Sequence, residues 1–139
     1  MNTKKLFAGG ITGGIVYFIL GYLVYGKLLM DYFTQHHGMT TGFMRNPLAM
    51  PLIIYLLVGN LLGGLLLTYI FLKANVASFG SGLVTGGIIG FLVVGSGDCI
   101  NYATTTLMSE HGMLADIVAG TIMSAITGAI IGMVLSKKD

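Results

Sequence analysis

Charge is scarce in this chain. Asp, Glu, Lys and Arg together make up 9% of its 139 residues, while hydrophobic residues make up 55% and the mean hydropathy is +0.88. A soluble domain carries about a quarter charged residues to cover its surface. Here the charges gather at the ends of apolar runs, which excludes a water-soluble fold and fits a hydrocarbon surrounding. Cysteine is nearly absent as well: the lone Cys99 excludes an intramolecular disulfide and paired-thiol redox chemistry. A net charge of +2 leaves no basic stripe for nucleic acid. Three histidines and one cysteine supply no nucleophile–base pair, so no enzyme and no cofactor are expected.

What is there instead is length in apolar runs. A helix needs about 20 apolar residues to cross a bilayer, and four runs satisfy this, at roughly 6–29, 51–72, 80–108 and 114–135. Four spans cannot close a β-barrel, so the expected fold is an all-α integral membrane protein. The start, Met1-Asn2-Thr3-Lys4-Lys5, resembles a signal peptide. The apolar run behind it continues past a signal's usual length and lacks a small-x-small cleavage site, which reads as a retained signal anchor. Asn46-Pro47 marks a turn, and Pro51 suits a helix start because its missing N–H would be unpaired there anyway.

Lys4, Lys5, Lys73, Lys137 and Lys138 fall at one set of helix ends; the other set holds only Arg45 and, just inside the edge, Lys27. Both termini are therefore expected in the cytoplasm, with the loop at about 30–50 and the Ser109-Glu110-His111-Gly112 turn facing outward.

One phrase is written twice. Ile11-Thr12-Gly13-Gly14-Ile15-Val16-Tyr17-Phe18 recurs as Val84-Thr85-Gly86-Gly87-Ile88-Ile89-Gly90-Phe91. A weaker echo relates Val58-Gly59-Asn60-Leu61 to Ala119-Gly120-Thr121-Ile122. The reading is a single membrane domain over 1–139, made of two tandem helical hairpins at about 6–72 and about 80–135 in a parallel internal repeat. The 22 glycines then have a physical task. Lipid-embedded helices gain nothing from the hydrophobic effect on pairing, so close backbone contact must substitute. Gly10 and Gly14, Gly82, Gly86 and Gly90, and Gly128 and Gly132 have the required spacing, and surplus small faces suggest homo-oligomer contacts.

Asp98 is the polar residue to single out, since an unpaired carboxylate inside a span costs several kcal/mol. Asn101, Tyr102 and Thr105 share its helical face. Along the repeat Asp98 corresponds to Tyr25, beside Lys27, so a Lys27–Asp98 ion pair tied to Tyr25 or Tyr102 is expected. Such a group is a structural clamp, a site for proton, ion or ligand, or a residue facing a wet crevice. Asn60 is expected to hydrogen-bond between helices at about 1 kcal/mol. Asp116 is expected to open the fourth helix and complement its dipole.

His36, His37 and His111 all fall on the outward side, accompanied by Met30, Met39, Met44, Met50, Met108 and Met113. Imidazole and thioether suit reduced copper. The spacing matches no tight pattern, though, and a polar loop with interfacial packing is the plainer reading. Tyr22, Tyr25, Tyr32 and Phe33 read as an aromatic belt.

The chain resembles small four-helix bacterial inner-membrane proteins of a domain-of-unknown-function class. The likeness is carried by Phe18-x-x-Gly21-Tyr22-x-x-Tyr25-Gly26-Lys27-Leu28-Leu29, by Asp98-x-x-x-Tyr102-Ala103-Thr104-Thr105, and by Gly128-Ala129-Ile130-Ile131-Gly132. It implies a multi-pass protein of the bacterial inner membrane and brings no reaction with it. Small multidrug exporters are similar in size, but their coupling carboxylate lies in the first span, which has none here. Two functions remain expected: a non-enzymatic membrane subunit or scaffold, with the lipid bilayer and further subunits as partners, or a small carrier using Asp98. The subunit is preferred, because only the third span has a convincing polar face.

Overall fold

A computed structural model of the chain describes residues 2–40, 42 and 45–137; Met44 and Lys138 lie outside these. The described residues form helices and no strand. Helix α1 spans Thr3–Leu23 and passes into a π-helical turn at Val24–Leu28; α2 is Met30–Gln35, α3 Leu52–Ala74, α4 Phe79–Thr104 and α5 Glu110–Ser136. Four stretches are long and apolar enough to cross a membrane: Thr3–Leu28, Leu52–Ala74, Phe79–Thr104 and Glu110–Ser136.

Local chemistry sets the ends. Asn2, Ser78 and Ser109 cap α1, α4 and α5 by accepting from the N–H of Lys5, Ser81 and Gly112. Asn75, left-handed at φ 55°, ends α3, and the Val76 N–H returns to the Phe71 carbonyl. Two boundaries differ from the sequence reading. The third span stops at Thr104 rather than near Met108, because a run of three threonines turns it off: the Thr104 and Thr105 hydroxyls bond back to Ile100 and Asn101 carbonyls, and Thr105 is extended. The expected turn at 109–112 is instead a cap and first helical turn, so α5 begins at Glu110 and Asp116 lies in its second turn.

Packing pairs α1 with α3 and α4 with α5; α1 lies also on α5, and α3 and α4 scarcely meet. Both pairs are glycine seams. A Cβ at Gly14 would stand 2.8 Å from Leu61 Cδ2 and 2.9 Å from its Cα, and one at Gly86 would stand 2.5 Å from the Ser124 carbonyl oxygen. Gly10, Gly82, Gly90, Gly128 and Gly132 are buried in the same seams, as are Gly9, Gly13, Gly64 and Gly120. Where α1, α3 and α5 converge, Leu67, Phe71, Ile131 and Leu135 form the one apolar core cluster among the described residues, at the end of the bundle that carries the termini. Helix α5 is the axis of the molecule, with eleven buried residues against four each in α1, α3 and α4. The outward faces are mostly apolar, with Ile15, Leu62, Phe91 and Ile122 among the large residues left exposed.

Candidate functional site

The end of the bundle away from the termini is built from different material. Here α1 departs from the α form. The Leu29 N–H bonds the Val24 carbonyl across five residues, and this π turn contains Tyr25-Gly26-Lys27. Single π turns inside α-helices recur at functional sites because they re-aim side chains. Tyr25 leaves this turn toward α5, where its hydroxyl donates to Asp116 Oδ1. On α4, Gly82, Gly86, Gly90 and Val94 lie against Gly132, Gly128, Ser124 and Gly120 of α5, and the next step of four along both helices sets Asp98 opposite Asp116. Asp98 is 7% exposed, Asp116 half-buried, and Asp98 Oδ2 is enclosed with no hydrogen-bond partner. Three helices thus converge on two carboxyls and a phenol.

Lys27 is not among them. Its Nζ lies 5.7 Å from the centre of the Tyr22 ring, and it forms no ion pair with Asp98. In place of the expected Lys27–Asp98 pair, Asp116 stands opposite Asp98: Tyr25, 38% exposed, turns its hydroxyl onto Asp116, while Lys27 is exposed beside the Tyr22 ring. Asn101, Tyr102 and Thr105 stand exposed at the end of α4 and do not converge on Asp98. Asn60 does not reach another helix: its Nδ2 donates to the Leu56 carbonyl of its own helix at 2.7 Å.

Over this cluster lies a lid of rings. Tyr25 contacts Phe33 at 5.6 Å between centroids and Phe33 contacts Tyr32 at 6.0 Å; Tyr32 stacks on His36 at 4.1 Å, and His36 lies 5.9 Å from His111 on α5. His36 Nδ1 is 2.9 Å from the Tyr32 carbonyl, and His37 Nδ1 is 2.6 Å from the Gly38 carbonyl. The chain beyond His36 is fastened to the α4–α5 turn. Gly38 N–H donates to Leu107 and Thr40 N–H to Thr106, while the Ser109 N–H and hydroxyl both donate to the His36 carbonyl. A groove of about 420 Å³ lined by Leu29, Tyr32, His111, Leu114, Ala115 and Val118 opens beside the lid. Met39 is 87% exposed. Among the described residues no three His, Cys, Asp or Glu side chains gather closely enough to hold a metal ion.

Toward the termini the same α1–α5 seam becomes closed. Tyr17 donates to Ser124 Oγ at 2.9 Å, Met123 packs near Gly21, and the Leu67–Phe71–Ile131–Leu135 cluster completes the seal. No family model, curated protein or solved structure matches the chain.

Proposed function

We propose that this is a small multi-pass membrane protein, without enzymatic activity, whose working centre is the Tyr25–Asp116–Asp98 cluster, and that it acts there as a carrier binding and releasing a cation. One observation carries this reading: a buried carboxyl with an unpartnered oxygen lies opposite a second carboxyl, with no basic side chain among the described residues paired to either. A clamp evolved only to hold helices together would pair its charges, since an unpaired carboxylate is among the most costly groups to enclose. The apolar outward faces of all four long helices support a lipid surrounding. The lysine distribution supports cytoplasmic termini and, with the resemblance, a bacterial inner membrane. Gly13 and Gly86, equivalent positions of the written-twice phrase, are both buried where helices meet, which supports a tandem repeat.

A second reading, a subunit of a larger or homo-oligomeric assembly, is favoured by a separate observation: Cβ atoms added at Gly59 and Gly97 would meet nothing within 4 Å. These leave small-residue openings on α3 and α4. Ion flux into vesicles containing the purified protein distinguishes the two. The carrier reading expects flux that Asp98→Asn abolishes while the protein still assembles; equal flux in that variant, or none in the unaltered protein, leaves the subunit reading.

A further inference from the structure

Which cation the cluster takes follows from its oxygens. Two carboxylates are acceptors only, so their side chains hydrogen-bond each other only when one carries a proton. Asp116 already accepts from the Tyr25 hydroxyl, and the register of the α4–α5 seam sets it opposite Asp98. Asp98 Oδ2 is sealed from solvent and meets no hydrogen-bond donor. As the carbonyl oxygen of a neutral acid that atom is tolerable; as half of a buried anion it is the costliest group in the bundle.

Among the described residues the surroundings offer no other neutraliser. From α1 and its π turn, Tyr25 faces the pair and Lys27 turns onto Tyr22. From α5, Asp116 is the facing titratable group; His111 lies farther out, against His36. Helix α3 carries only Tyr55, Tyr69 and Lys73, all exposed. A metal cation fits poorly. Calcium takes six to eight oxygens and magnesium a near-ideal octahedron, whereas three side chains converge here and the surrounding backbone is helical, its carbonyls engaged.

We infer that Asp98 and Asp116 form a proton-binding pair, holding one shared proton in a hydrogen bond from carboxylic acid to carboxylate. On loading, a proton adds to one carboxylate oxygen, leaving one neutral acid and one carboxylate with a combined charge of −1; on release, both are anionic. Tyr25 is the positioning residue, donating to Asp116 and turning it toward Asp98. This inference rests on the cluster being the working centre, and it narrows the substrate from cations in general to the proton.

Infrared spectroscopy of the purified protein in an ester-free detergent tests it. At neutral pH a carboxylic C=O band is expected that shifts in D₂O and disappears in both Asp98→Asn and Asp116→Asn. Its absence from the unaltered protein would mean that both groups are anionic and would overturn the inference. The unaltered protein alone gives a second reading that needs no variant to fold: replacing choline chloride by excess NaCl, KCl or CaCl₂ leaves the band unchanged. Loss of the band with any of these salts, with release of a proton to an indicator dye, overturns the inference in favour of a metal-cation site. The two levels fail separately. A persistent band without vesicle flux removes the carrier reading alone, whereas Na⁺ flux with a displaced band removes only the proton assignment.

Discussion

The two ends of this bundle are held by opposite means, and α5 runs through both. Toward the termini it presents Gly120, Ser124, Gly128 and Gly132 to the glycines of α4, and its partners approach until backbone meets backbone. Toward the other end it presents Asp116, and α1 meets it through a tyrosine carried on a π turn. Close packing requires regular helices with nothing between them. A polar site requires room for side chains and a backbone bent to aim them. One helix accommodates both by changing residue size along its length.

Substitutions that exchange the character of the two ends test this contrast, beginning with the most disruptive. Gly86→Leu places a side chain against the Ser124 carbonyl and should cost about 3 kcal/mol or more, read by far-UV circular dichroism in mixed detergent unfolding. Gly97→Leu, with open space around it, should leave the same midpoint unchanged. Equal effects at both positions would mean that the seam is not where α4 and α5 meet.

At the polar end, Tyr25→Phe removes the donor to Asp116 and should cost about 2 kcal/mol, since a hydrogen bond to a charged group is the stronger kind. A smaller loss is expected for Tyr17→Phe, about 0.6 kcal/mol, because its partner is the neutral Ser124 hydroxyl and bonds between spans are modest. If Tyr17→Phe proves the more damaging, the polar end is not the costlier of the two to disturb. Asn60→Leu should stay within about 0.5 kcal/mol of the unaltered protein, because its amide serves only its own helix. A larger loss would place Asn60 between helices after all.

The four long apolar helices were legible from hydropathy alone; spacing singled out Gly10, Gly14, Gly82, Gly86, Gly90, Gly128 and Gly132 but not Gly9, Gly13, Gly64 and Gly120, which lie in the same seams. The candidate site was half legible. Asp98 stood out as an acid in an apolar run, and the repeat pointed from it to Tyr25. Asp116 was passed over as a dipole partner because the third span was drawn through to 108. Once Thr105 ends α4, Asp98 and Asp116 stand at matching distances either side of the 105–109 turn and face each other across the hairpin. That symmetry was present in the sequence, but the threonines that set it read as part of an apolar run. Lys27 was misplaced for a different reason: a π turn adds a residue to one helical turn and rotates everything beyond it, and no periodicity in Val24-Tyr25-Gly26-Lys27-Leu28 announces it.

By itself the sequence determined how many long apolar helices there are and which of their faces come close, because helix length and the absence of a Cβ are properties of residues taken singly or at fixed spacing. Only the tertiary structure decided which acid faces which. That choice depends on where two helices stop and how one is wound, and it is settled when α1, α4 and α5 pack against one another. Asp98 is an ordinary anomaly on its own helix and becomes part of a site only opposite Asp116 and Tyr25.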